Sequence, residues 1–240
     1  MKKITTPHFT LAVYQQGNEH AERLALVLPG RLDTKDYPHM KSHVDFLATQ
    51  GFLALSFDPP GTWESAGNIE DYTMTNYLKV ITELIDYFEN KPTLLMGHSR
   101  GGSMAMLGAI TIPDVSHVIA VMSSTSPSKP YHKMEPGDSQ EEFRDIPGTP
   151  DQKKKFVLPY TFFEDAGRYD LLGGLKDCSK PKLFIFGTHD KVVDPQEVRQ
   201  AFASAAEPKK LQELNSGHDY RRHPDMIEQV NVLVKDFLVK

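Results

Sequence analysis

Paired cysteines are missing: Cys178 is the only cysteine in 240 residues. One thiol rules out an intramolecular disulfide and any cysteine-based zinc cluster, and it fits a reducing compartment. Long apolar runs are missing as well. Nowhere do about 18 apolar residues follow one another, so no membrane span is expected. The opening Met-Lys-Lys-Ile-Thr-Thr-Pro-His lacks the apolar run of about 7–15 residues that a cleaved signal requires. A cytoplasmic location is therefore expected. Positive charge is scarce. The formal net charge is −5, and the densest basic run, Lys153-Lys154-Lys155, reads as a solvated face. Both argue against a nucleic-acid partner. Repeats and low-complexity tracts are absent, and nothing in the chain indicates an oligomeric state.

What is present is ordinary globular composition, 39% hydrophobic and 25% charged. A chain of this length can bury roughly three quarters of its unfolded surface without a disulfide or a metal. Short apolar runs alternate with longer amphipathic segments, the pattern of βαβ units around a mostly parallel sheet with helices on both faces. His8–Gln15 and Glu22–Leu28 read as an opening antiparallel pair, turning at Gly17-Asn18. Further strands are expected over Phe52–Phe57, Thr93–Met96, His117–Met122, Lys182–Phe186 and Lys210–Leu214. Helices are expected over Asp36–Gln50, Asp71–Glu89, Arg100–Ile112, Pro195–Ala206 and Pro224–Leu238. From about Ser123 to Ser179 the alternation stops, with no strand signal and many prolines, glycines and charges. This stretch reads as an insertion over the sheet, helical over Phe156–Asp165 and Arg168–Asp177. The expected organisation is one domain over residues 1–240 with a cap insertion at about 124–179.

Gly97-His98-Ser99-Arg100-Gly101 fits Gly-x-Ser-x-Gly, between an apolar strand and a helix that opens Gly101-Gly102-Ser103. An inert βα turn can carry the same five residues. The flanking strand and helix favour a nucleophile elbow, a sharp turn that exposes a serine hydroxyl in a strained conformation. Serine is a poor nucleophile without a base and a group that orients the base. Such an elbow is completed in the chain order serine, acid, histidine. Asp190 follows the strand Lys182–Phe186, and His218 follows Lys210–Leu214, so both fall at carboxyl ends of strands. Asp194 is a rival acid, although it also reads as the N-cap of the helix opening at Pro195. The oxyanion is expected to be held by the backbone N–H groups of Arg100 and Arg31, with Leu32 as the alternative to Arg31. His98 reads as packed under the turn. His8, His20, His39, His43, His117, His132 and His223 show no partner pattern. No phosphate loop, dinucleotide fingerprint or His-Glu-x-x-His is present, so neither a cofactor nor a metal is expected.

With these motifs the chain resembles the α/β-hydrolase superfamily, and among its members the small carboxylesterases of feruloyl-esterase-like and dienelactone-hydrolase-like type. The superfamily resemblance rests on Pro29-Gly30, Asp58-Pro59-Pro60-Gly61-Thr62-Trp63-Glu64-Ser65, the elbow, Gly187-Thr188-His189-Asp190-Lys191-Val192-Val193 and Gly217-His218, and that to the small carboxylesterases on the inserted Phe162-Phe163-Glu164-Asp165 followed by Asp170-Leu171-Leu172, which resembles their compact cap. Two positions depart from it. Pro29 stands where many members have histidine, and Trp63 stands where the second glycine of an Asp-x-x-Gly-x-Gly-x-Ser segment would be. The resemblance implies a serine hydrolase with a Ser99–His218–Asp190 triad, acting on small or medium carboxylic esters through an acyl-enzyme. Thioesters, lactones or short peptides remain alternative substrates, and a non-catalytic binding protein remains the alternative class. Trp63, Phe162 and Phe163 are the aromatic candidates for a substrate pocket, unless they only hold the cap to the body.

Overall fold

The computed structural model describes residues 2–126 and 134–239. His132 and part of the expected insertion, residues 127–133, lie outside them. Ten strands and seven helices are described. In chain order they are β1 (Lys2–Thr5), β2 (Thr10–Gln16), β3 (Leu24–Leu28), α1 (Pro38–Thr49), β4 (Leu53–Phe57), α2 (Met74–Tyr87), β5 (Thr93–His98), α3 (Arg100–Thr111) and β6 (Val115–Val121). Then come β7 (Ser139–Ile146), β8 (Thr149–Pro159), α4 (Tyr160–Ala166), α5 (Leu171–Leu175), β9 (Lys182–Gly187), α6 (Pro195–Ser204), β10 (Lys209–Leu214) and α7 (Pro224–Leu238).

Eight strands form one sheet in the order β1-β2-β4-β3-β5-β6-β9-β10. The first two pairings are antiparallel and the rest parallel. Alternate residues of the central strands feed two cores. Leu24, Leu26 and Leu28 of β3 face the layer of α2 and α3, and Ala25 and Val27 face that of α1 and α7. Phe184 and Phe186 against Leu183 and Ile185 repeat the pattern in β9. A strand buried on both faces cannot alternate apolar with polar residues, which is why these runs are apolar throughout. The stripe Tyr77, Val80, Ile81, Leu84 and Ile85 of α2 is almost fully buried, and each aliphatic side chain there contributes about 1.5–3 kcal/mol.

Two expectations fail in the fold. β2 and β3 do not pair: β2 lies between β1 and β4, and β3 lies between β4 and β5. The all-apolar Leu24–Leu28 gains most where helices cover both faces. The half-polar end of β2, Tyr14-Gln15-Gln16, tolerates a place near the edge. The second correction lies in the inserted segment, where β7 and β8 form an antiparallel hairpin and Phe156–Pro159 is strand, not helix. Along β8 the side chains alternate, with Lys154, Phe156 and Leu158 turned inward and Lys153, Lys155 and Val157 exposed. The period of two is masked in the sequence because one inward residue is a lysine. Its ammonium sits 5.1 Å from the Trp63 ring and 5.2 Å from the Phe156 ring, so the basic run is only partly a solvated face.

On the α1/α7 face one polar group is wholly enclosed. His43 of α1 donates from Nδ1 to Oδ1 of Asn231 on α7 (2.6 Å), and its Nε2 accepts from the Tyr220 hydroxyl (2.8 Å). The neutral ring is thus satisfied on both sides. Burial, assisted by nearby His98 and only partly offset by the Asn231 contact, lowers its pKa from 6.5 to about 4. Below pH 6.5 the unfolded chain takes up a proton that the folded chain refuses, so stability falls as the pH drops from about 6.5 to about 4. The shift corresponds to about 3 kcal/mol over that window. His43→Gln is expected to flatten this part of the profile, read as unfolding midpoint in urea between pH 7 and pH 4. An unchanged slope in the variant would reject the assignment.

Candidate active site

The turn from β5 into α3 is built by close approach. Ser99 sits at φ 54 and ψ −123, a left-handed conformation that side chains rarely adopt. Its N–H is held by the Val121 carbonyl of β6 (2.9 Å), and its carbonyl accepts from Gly102 (3.0 Å) and Ser103 (3.2 Å). A Cβ on Gly97 would lie 2.1 Å from the Gly101 backbone, and one on Gly101 would lie 1.9 Å from the Leu28 carbonyl oxygen of β3. Only hydrogen fits between strand, helix and neighbouring strand at these two points.

The loops after β9 and β10 meet this turn. His218 Nε2 lies 3.0 Å from Ser99 Oγ, and His218 Nδ1 donates to Asp190 Oδ2 at 2.8 Å. The other Asp190 oxygen accepts from the amides of Val192 (2.8 Å) and Val193 (2.9 Å). Burial works to raise the Asp190 carboxyl. The His218 hydrogen bond and charge, with the two amides, outweigh it and hold the group ionised below its ordinary value. Asp194 lines the same cleft but caps α6, accepting from Gln196 N–H (2.8 Å), and makes no hydrogen bond to His218 among the described contacts.

The turn Pro29–Leu32, beyond β3, is held from beneath by two tyrosines. The Tyr77 hydroxyl donates to the Pro29 carbonyl (3.1 Å), and the Tyr72 hydroxyl accepts from Leu32 N–H (2.9 Å). The Leu32 amide is therefore committed. The Arg31 side chain pairs with Glu142 of β7 at 3.0 Å, and the Arg31 carbonyl accepts from Arg144 (3.0 and 3.1 Å). The hairpin is thereby tied to the rim of the site. Asp58, at the end of β4, collects Thr34 Oγ1 (2.7 Å), the Lys35 amide (3.0 Å) and the Glu64 amide (3.2 Å), which orders the loops on either side.

A cleft of about 660 Å³ opens over Ser99, with Arg31, Arg100, Phe162 and His218 in its wall. Among the described residues that line it, neither Trp63 nor Phe163 appears, which corrects the sequence-based assignment of both as pocket residues. Trp63 donates to the Leu32 carbonyl (2.9 Å) and meets Phe156 edge-on at 5.5 Å, so it joins the β4 loop to the hairpin. Phe163 is buried in the core, edge-on to Phe162 at 4.9 Å.

His98 does more than fill space under the turn. Its Nε2 donates to the main-chain carbonyl of His218 (2.9 Å), fixing the height of that loop against the elbow. Its Nδ1 faces Asp33 Oδ2 at 3.8 Å, an electrostatic contact and not a hydrogen bond, and His39 Nε2 faces the same oxygen at 4.0 Å. Burial raises the Asp33 carboxyl, but the close approach of His98 and His39 and the charge of Arg221 outweigh burial and lower it. Burial keeps His39 and His98 below the usual histidine range. Asp33, His39 and His98 thus bring three ligand-type atoms within 4.8 Å of one another, a cluster with an ionised carboxylate among rings whose burial favours the neutral form. No spacing in the sequence announces it, because Asp33, His39 and His98 come from three separate elements.

Gly101→Ala is expected to destabilise the fold by about 3 kcal/mol or more, because the added methyl meets backbone that cannot step aside. In a chain of this size that lowers the melting temperature by roughly 6–12 °C, measurable by circular dichroism. A variant that melts within about 2 °C of the parent would show that the turn has room to relax.

Comparison with known proteins agrees with this architecture. Est1E from Butyrivibrio proteoclasticus, solved with ferulic acid bound, superposes with a TM-score of 0.80 at 20% identity, covering 100% of this chain and 98% of that one. The mouse alpha/beta hydrolase domain-containing protein 10 superposes with a TM-score of 0.78 at 19% identity, covering 99% and 97%. In sequence, the mitochondrial palmitoyl-protein thioesterase ABHD10 of Rattus norvegicus is 23% identical over 174 residues, 70% of this chain and 59% of that protein. The chain thus matches about three fifths of the length of that relative. Among the described residues no helix is long and apolar enough to cross a membrane. The sequence model of the alpha/beta hydrolase family matches residues 25–230, from β3 into α7, and this chain belongs to that family.

Proposed function

We propose that the protein is a serine hydrolase of carboxylic esters and thioesters, with Ser99 as nucleophile, His218 as general base and Asp190 as the group that orients it. One observation carries the reading: Ser99 Oγ, at the strained apex of the turn and open to the cleft, lies 3.0 Å from a histidine held at 2.8 Å by a buried carboxylate. That is hydrogen-bonding distance for proton transfer at both contacts.

In the reaction, His218 Nε2 takes the Ser99 proton as Oγ bonds to the acyl carbon. Asp190 keeps the proton on Nδ1, so Nε2 is the basic nitrogen, and its charge stabilises the imidazolium. The tetrahedral oxyanion is received by the backbone N–H groups of Arg100, the first residue of α3, and Arg31. The Leu32 amide is the weaker choice because Tyr72 already occupies it. The imidazolium returns its proton to the departing alkoxide or thiolate. Water, deprotonated by the same ring, then releases the acid and restores Ser99. Thioesters stand beside oxyesters because relatives and structural neighbours include both a thioesterase and an esterase by name. The segment between β6 and β9 acts as a cap over this site. The cytoplasmic location expected from the sequence has a rival, since the curated relatives are named as mitochondrial.

A fluorophosphonate probe is expected to label Ser99 in the folded protein, located by peptide mass mapping. Turnover of p-nitrophenyl esters and matching thioesters should vanish in Ser99→Ala and His218→Ala with little change in melting temperature. Asp190→Asn should lose roughly 10⁴-fold in kcat. Asp194→Asn, which preserves a good cap, should stay within a few-fold of the parent. Absence of labelling in folded protein, or loss of activity at Asp194 in place of Asp190, would overturn the assignment.

A further inference from the structure

Arg100 stands next to the nucleophile, and its side chain is more than nine-tenths buried in the wall of the cleft. Its guanidinium carbon lies 4.1 Å from the centre of the Phe162 ring and 5.5 Å from that of Tyr72. Nε and Nη2 have no hydrogen-bond partner among the described residues. Asp165, whose charge acts on this group, is already engaged by Thr75 at both oxygens, through Oγ1 (2.5 Å) and the amide (3.0 Å). The other guanidinium groups of the cleft each face an acid: Arg31 and Arg144 face Glu142, and Arg221 faces Asp145. A buried cation without an acceptor is costly, and proteins rarely keep one unless something completes it. Burial presses the Arg100 pKa down.

We propose that Arg100 is the specificity-determining residue for an anionic substrate, an ester or thioester whose acyl or leaving group carries a carboxylate. The inference rests on the serine-hydrolase reading of the same site. Aromatic rings lie beside the guanidinium, so its N–H groups are the part left to bind, and a carboxylate oxygen reaching them from the cleft is the acceptor that suits them. A neutral chain of the same length would enter the cleft and leave the cation unpaired.

The test compares the mono-p-nitrophenyl ester of glutaric acid with p-nitrophenyl pentanoate, which has the same length and no charge. In the parent protein kcat/KM is expected to favour the charged ester by roughly 30-fold or more, the scale of a buried charge pair. Arg100→Met should abolish that ratio, and Arg100→Lys should keep part of it. Glutarate alone should raise the melting temperature of the parent and not of Arg100→Met. A parent ratio at or below one, with the pentanoate cleaved, overturns the proposal whether or not the variants fold. If no ester is cleaved but the glutarate shift appears and depends on Arg100, the anion site stands and the hydrolase reading falls. If neither is seen, both fall.

Discussion

Everything at the site depends on how closely α3 and the turn before it approach the sheet. Gly97 and Gly101 let backbone touch backbone where any side chain would collide, and that contact forces Ser99 into its left-handed conformation. The strain is sustained because β3 and β5 are fully buried, and β6 is buried from Val118 onward, so their parallel hydrogen bonds cannot shift without breaking the core. A serine so placed cannot relax into the helix, and its hydroxyl stays above the carboxyl edge of the sheet. The loops after β9 and β10 deliver Asp190 and His218 to the same edge, since parallel strands all end there.

A second layer of polar contacts supports the first. His98, inside the elbow, reaches the main chain of His218, so the position of that ring is tied to the turn that carries Ser99. Tyr72 and Tyr77 hold the opposite turn at Pro29 and Leu32, and Arg144 ties the hairpin to the Arg31 carbonyl. Three loops and one inserted hairpin thus share a rigid frame, the condition for catalysis by preorganised groups. Arg100 lies within that frame as an enclosed charge, two of whose nitrogens have no hydrogen-bond partner among the described residues.

Much of this was legible before any coordinates. The glycine-flanked serine between an apolar strand and a glycine-led helix, followed in order by Asp190 and His218, identified which side chains meet. Asp194 read correctly as an N-cap because a helix start has a local signature, proline after a capping acid. The pairing of β2 was misread, since partner choice depends on burial of both faces of β3, and adjacency in sequence is only a default. The β8 strand is not legible in the sequence because a lysine takes one of its inward positions, with the Lys154 ammonium against the Trp63 and Phe156 rings.

By itself the sequence determined the strand and helix inventory of the parallel core, the tight turn at Ser99 and the strand ends that carry Asp190 and His218. These follow from local rules: periodicity, caps and the space a glycine leaves. The tertiary structure alone decided that Trp63 and Phe163 pack away from the described lining of the cleft, that His98 holds the His218 loop, that Asp33 gathers two histidines, and that two Arg100 nitrogens have no hydrogen-bond partner among the described residues. Each of these is a relation between residues distant in the chain, and their distances and burial exist only once the cores on both faces of the sheet have closed.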